Sequence, residues 1–253
     1  MRPLSLVLPL TAALALAAGG AHAFTPAGTD LVYEVNGEAF EGYLATAEGE
    51  ARGTVLIIHD WDGLDDYERQ RADMLAAQGY DAFAVDLYGQ GNRPQEIENK
   101  RTETARLYED RERMRTLTLA GLAEARAQGA AEPSVIMGYC FGGAVALEMA
   151  RSGEAEAVHG FASFHGGLAT PEGQSWPQGA GPILIAHGGA DSAIPMSEVA
   201  TLAEELEAAE ATYEIQVYSG APHAFTVFGS DAYRAHADAR AWSAFLILLD
   251  EAL

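Results

Sequence analysis

Hydrophobic positions along this chain follow two alternating rhythms. Short apolar runs are separated by longer stretches in which apolar residues recur every three or four positions, the marks of buried strands and amphipathic helices respectively. Residues 30–35 and 38–45 flank Asn36-Gly37 and predict a hairpin with a two-residue turn. Residues 53–59 are almost continuously apolar, as in a strand covered on both faces. Residues 65–78 put Met74, Leu75 and Ala76 on one side and charges on the other, with Gly79 as a stop signal, and predict a helix. A strand at 81–85, a long charged helix with a break across 95–128, a strand at 133–137 and a helix through 144–150 follow. Then come strands at 157–164 and 182–186, a helix at 196–209 and a strand at 213–218. A closing helix over 233–249 directs Trp242, Phe245, Leu246 and Leu249 at the sheet. Strands alternating with helices at this spacing predict an α/β fold with a mainly parallel central sheet flanked by helices.

The first 23 residues stand outside this rhythm. Arg2, an apolar stretch from Leu4 to Ala18, and Ala21-His22-Ala23 before Phe24 describe a secretory signal peptide. The stretch is short for a bilayer span, and no cysteine follows it for lipid attachment. The expectation is an exported, periplasmic protein whose residues 24–253 form one domain; an uncleaved membrane anchor is the alternative. The connection from Phe164 to Pro182 is too short for a large lid domain.

Charge narrows the partners. The chain has 37 acidic and 15 basic residues, a net charge of −22, and a single lysine, Lys100. Such a surface disfavours nucleic acid and anionic membranes and suits saline surroundings.

The chemistry concentrates in three places. Gly138-Tyr139-Cys140-Phe141-Gly142-Gly143 lies between a strand-like and a helix-like run, the context of a nucleophile elbow with cysteine in place of serine. Cys140 is the only cysteine; a buried structural thiol is its bland alternative. Asp191 follows an apolar strand and the turn Gly188-Gly189-Ala190, and His223 follows a strand and Ser219-Gly220-Ala221-Pro222. Nucleophile, acid and histidine in that chain order fit a catalytic triad. A helix N-terminus and a nearby histidine are expected to favour the Cys140 thiolate. The N–H groups of Phe141 and Trp61 are the expected oxyanion donors. No serine occupies an elbow, no histidine has metal-site spacing, and no phosphate loop is present, so neither metal nor cofactor is implied. His59, His165 and His187 read as structural, and Trp61, Tyr88, Phe141 and Phe225 as a possible apolar pocket wall.

These motifs, with Ile57-Ile58-His59-Asp60-Trp61-Asp62-Gly63-Leu64, Asp86-Leu87-Tyr88-Gly89 and His223-Ala224-Phe225, resemble the dienelactone hydrolase family of α/β-hydrolases. The resemblance implies an α/β-hydrolase fold and a Cys140-His223-Asp191 triad cleaving small-molecule esters or lactones through an acyl-enzyme. The family commonly has glutamate where Asp60 stands, so Asp60 is either a modulator of the cysteine or a loop cap. Founding members hold a substrate carboxylate with two arginines; Gln90 and Val227 take those places here, with Arg93 as a substitute for the first. Tyr88, Gln90, Arg93 and Phe225 are thus the candidate substrate contacts, and a neutral substrate is expected. A binding protein retaining the fold, or an acyltransferase, is the alternative.

Overall fold

The computed structural model describes residues 24–253; the signal-peptide reading falls on 1–23, outside the described residues. The chain opens with β1 (Thr29–Val35) and β2 (Glu38–Ala45), joined by Asn36 and Gly37, both at positive φ as the predicted turn requires. β3 (Thr54–Ile58), α1 (Asp66–Ala76), β4 (Asp81–Val85), α2 (Ile97–Glu109), α3 (Arg111–Ala127) and β5 (Ser134–Tyr139) follow. Then come α4 (Phe141–Ser152), β6 (Val158–Phe164), β7 (Ile183–Gly188), α5 (Met196–Ala208), β8 (Tyr213–Tyr218) and α6 (Ala235–Ala252). The predicted helix over 95–128 is two helices. They part at Asp110, whose carboxylate accepts the Arg113 N–H at 2.9 Å and caps α3.

The eight strands form one sheet in the order β1-β2-β4-β3-β5-β6-β7-β8. β1 pairs antiparallel with β2, and β2 with β4; every other pairing is parallel. All five residues of β3 are buried because helices cover both sheet faces. Its side chains alternate between two cores. Leu56 and Ile58 join Leu117 of α3, Val145 of α4 and Leu202 of α5, while Val55 and Ile57 join Leu75 of α1 and Phe245 of α6. Each such side chain withdrawn from water contributes about 2 kcal/mol.

Register decides where the chemistry gathers. Ile58 lies beside Gly138, Tyr139 beside Phe164, Phe164 beside Ala186 and Gly188 beside Tyr218. The loops leaving these strands therefore emerge at one edge, bringing Asp60, Cys140, His165, Asp191 and His223 together from distant parts of the sequence.

Candidate active site

The strand-to-helix turn at Cys140 is forced and tight. Cys140 has φ 50° and ψ −110°, a region that L residues avoid and that marks functional strain. Glycines permit the close crossing beneath it. A Cβ on Gly138 would lie 2.1 Å from Gly142 backbone atoms, and one on Gly142 would lie 2.2 Å from Ile58 O. Neither position accepts a side chain, so β5 and α4 pack backbone to backbone and the Cys140 side chain stands clear of the sheet.

Hydrogen bonds connect the three predicted residues in a line. His223 Nε2 is 3.1 Å from Cys140 Sγ, and His223 Nδ1 is 2.8 Å from Asp191 Oδ2. The carboxylate needs the Nδ1 proton, which leaves Nε2 to accept from the thiol. Asp191 Oδ1 accepts the Ala193 and Ile194 N–H groups at 2.8 and 2.9 Å, fixing the carboxylate from its other side. The Cys140 thiol departs from the expected thiolate: burial, with the carboxylates of Asp60, Asp191 and Asp62, pushes it up to about 12. The Phe141 N–H at the start of α4 opposes this but does not outweigh it. Cys140 therefore rests as a thiol hydrogen-bonded to the imidazole of His223.

The loop between β3 and α1 faces the thiol. Glu68 organises it: Oε2 accepts the Asp65 N–H at 3.1 Å and Oε1 the Asp60 N–H at 3.4 Å. Asp65 in turn caps α1, completing a capping box. Asp60 accepts the Asp62 N–H at 2.8 Å, so it does help to tie the loop. It also lines the cavity with Cys140. Burial first, then the charges of Asp62 and Asp65, raise its carboxyl to about 7, and burial also raises Glu68 well above the carboxylate range. Asp60 thus ties the loop and lies in the cavity lining beside the thiol.

Cys140 and His223 open into a cavity of about 410 Å³ lined by Asp60, Trp61, Thr104, Tyr108, Phe141 and Ile194 among others. No arginine or lysine is in that lining. Four expected substrate contacts lie elsewhere. Gln90 is exposed, its N–H bound to Ala39 O. Arg93 points at Glu41 of β2 and the carbonyls of Leu64 and Asn92, where it ties two loops to the sheet. Phe225 is wholly buried against Tyr218 and His165, because Ala224 at φ 60° turns the chain inward after His223. Tyr88 stands one layer behind the wall, packed on His59 and Phe141 with its hydroxyl 3.4 Å from Trp61 O.

Sequence reasoning missed Thr104 and Tyr108, which α2 brings over the cavity. Their helix reads as a solvated charged surface, and nothing in its pattern marks an inner side. The three structural histidines are buried. His59 donates Nδ1–H to Asp60 O and accepts the Leu87 N–H, and burial lowers its pKa to about 4. His165 packs edge-on to His223, with ring centres 5.3 Å apart, and bonds Thr226 Oγ1 at 2.8 Å. His187 lies at the base of the Asp191 turn. Among the described residues, no group of three or more His, Cys, Asp or Glu side chains is arranged to hold a metal ion.

Known proteins agree with this architecture. The family model "Dienelactone hydrolase family" matches residues 40–253. The chain is 28% identical to the "Probable 2-oxo-3-(5-oxofuran-2-ylidene)propanoate lactonase" of Bradyrhizobium sp. over 85% of this chain and 90% of that one. It is 27% identical to the carboxymethylenebutenolidase of Pseudomonas putida over 83% and 90% respectively. A dienelactone hydrolase-like promiscuous phosphotriesterase from metagenomic libraries superposes with a TM-score of 0.80 at 26% identity, covering 89% of this chain and 98% of that one. With its α/β-hydrolase architecture and these relatives, the chain belongs to the dienelactone hydrolase family and is a carboxylic ester or lactone hydrolase.

Proposed function

We propose that this enzyme cleaves small neutral carboxylic esters or lactones through an acyl-enzyme on Cys140. The observation that carries the reading is the Cys140–His223–Asp191 hydrogen-bonded line opening into an apolar cavity without a cation. His223 Nε2 takes the thiol proton as Sγ attacks the substrate carbonyl carbon. Asp191 stabilises the imidazolium that forms and holds its tautomer. The carbonyl oxygen becomes an oxyanion facing the N–H groups of Phe141 and Trp61; loss of one such donor costs about 3 kcal/mol of transition-state stabilisation. Among the described residues the Trp61 N–H has no intramolecular acceptor, which leaves it available for this role. Collapse breaks the bond to the alkoxy oxygen, which receives the proton from His223. A water then attacks the thioester, giving its proton to His223, and returns the thiol with release of the acid.

An anionic substrate would meet Asp60 and the net acidic surface with no arginine to hold it. Steady-state hydrolysis of p-nitrophenyl acetate by residues 24–253 should be saturable and should fall at least about 10³-fold in Cys140→Ala. Short neutral esters should show higher kcat/KM than dienelactone, and the reverse order would sink the neutral-substrate reading. We further infer export through the basic-apolar N-terminal segment; N-terminal sequencing of the exported protein should begin at Phe24.

A further inference from the structure

α2 forms the outer wall of the cavity through Thr104 and Tyr108, yet Leu107 is its only buried residue. Apolar packing alone holds such a helix weakly. Tyr108 sets its ring edge-on to Phe141, with centres 5.4 Å apart, near the C-terminal end of α2. The other end is attached by charge. The Lys100 ammonium pairs with the Asp62 carboxylate and sits 5.3 Å from the centre of the Trp61 ring. The Lys100 side chain is only 15% exposed. Asp62 Oδ1 is buried, and this ammonium is its one partner among the described residues. Asp60, Asp62, Asp65 and Glu68 crowd the loop and the head of α1, and Lys100 is the cation that reaches them from α2. It is also the only lysine in the chain.

We propose that Lys100 is a positioning residue for the hydrolytic reaction: by clasping Asp62 and the Trp61 ring it locks α2 to the 60–64 loop, fixing the Trp61 N–H over the oxyanion and Tyr108 over the thiol. This rests on the reading of Trp61 as an oxyanion donor. The Trp61 N–H belongs to the Asp60–Trp61 peptide. Glu68 holds the Asp60 N–H before it, and the Lys100 contacts to the Trp61 ring and to Asp62 hold the chain just after it, so the peptide is anchored from both sides. Small misplacements of such a donor are costly, because the hydrogen bond must meet charge that exists only in the transition state.

The test compares steady-state p-nitrophenyl acetate hydrolysis by the wild type, Lys100→Met, Lys100→Arg, Asp62→Asn and the Lys100→Met/Asp62→Asn double variant. Both single losses break the clasp, so each should lower kcat about tenfold with a smaller change in KM. Lys100→Arg should recover most of the loss, since a guanidinium keeps the charge and the ring contact. The double variant should be no worse than the poorer single one. Alkylation of Cys140 by neutral iodoacetamide against pH separates position from charge. The thiol is faced by Asp60 and Asp62 from the loop, Asp191 and His223 from the strand ends, Tyr88 behind the wall and Tyr108 from α2. Removing the cation should move the alkylation midpoint up, and removing the Asp62 charge should move it down.

If Lys100 acted by charge alone, kcat would follow the thiol and shift in opposite directions in the two variants. That result overturns the proposal, as does unchanged kcat in both. Circular dichroism and Tm identify a variant that fails to fold. Should Lys100→Met do so, Asp62→Asn with Lys100→Arg decides the matter by the same criteria. An inactive Cys140→Ala beside a fully active Lys100→Met removes the clasp but leaves the acyl-enzyme standing. An active Cys140→Ala removes the acyl-enzyme reading itself.

Discussion

The two sides of His223 are built on opposite principles. Behind it lies a dry polar chain in which Arg71 pairs with Asp238, bonds the Tyr67 hydroxyl at 3.3 Å and donates to Thr226 O at 2.9 Å. Tyr67 continues to Thr226 Oγ1 at 2.7 Å, and Thr226 to His165 at 2.8 Å. The Arg71 guanidinium is sandwiched among Tyr67, Tyr139, Phe228 and Trp242. In front lie α2 and the 60–64 loop, half-exposed and joined by Lys100. The rear resists change because every buried charge there depends on a partner. The front loses less stability on change, because water can replace part of what is lost there, although the reaction depends on its geometry. On the proposed reading of the site, this gives rigid support behind His223 and a less tightly held wall over the cavity.

The largest expected effect tests the rear. Arg71→Met strands the Asp238 carboxylate in the interior and should cost about 3–5 kcal/mol of stability, lowering Tm by about 10 °C or more. A thermal melt within a degree or two of wild type would erase the contrast between the two sides.

A smaller effect, of opposite sign, belongs to the front. Asp60 is raised to about 7 in the folded protein from 3.8, so between these values the folded state binds more protons than the unfolded one. Its contribution therefore turns unfavourable as pH rises from about 4 to 7. Asp60→Asn removes that cost and should be more stable than wild type at pH 8 by about 2–4 kcal/mol, with little difference at pH 4. Denaturant midpoints at the two pH values measure it. His59, lowered to about 4 from 6.5, works the other way: the unfolded state binds the extra proton, so its share of stability is lost as pH falls from about 6.5 to 4. Loss of the Asp60 charge should also bring the thiol down, so the pH–rate profile of Asp60→Asn should shift to lower pH. A profile superimposed on wild type would reduce Asp60 to a loop tie.

The mildest change sharpens the comparison. Tyr108→Ala removes a wall ring that is 37% exposed and should leave Tm nearly unchanged. It should raise kcat/KM for longer acyl chains relative to acetate by about tenfold, the scale of one or two methylenes in an apolar pocket. Equal effects on acetate and hexanoate esters would show that α2 does not select substrates.

Much of this was legible in the chain. Period-two and continuous apolar runs placed the strands, because burial on one or both faces writes itself directly into the residues. The elbow was legible because its chemistry is local: Gly138 and Gly142 are needed within a few residues of Cys140. Asp191 and His223 were found through the strands before them, since strand ends define a sheet edge. The wall residues were not legible. Thr104 and Tyr108 sit on a helix whose charged pattern describes its outer surface and says nothing about what passes beneath it. Phe225 falls outside the cavity because the turn at Ala224 inverts the direction of the chain, and Arg93 because the groups that claim it, Glu41 of β2 and Leu64 O of the loop before α1, come from distant segments.

Sequence alone determined the alternation of strands and helices, the strand-to-helix turn at Cys140 and the places of Asp191 and His223 just past strand ends, since each is written in neighbours within a few residues. Tertiary structure decided the protonation of Cys140, the burial of Arg71 and the clasp of Lys100. Those depend on charges and dielectric surroundings assembled from distant segments, where Coulomb energies vary with ångström separations that no spacing along the chain records.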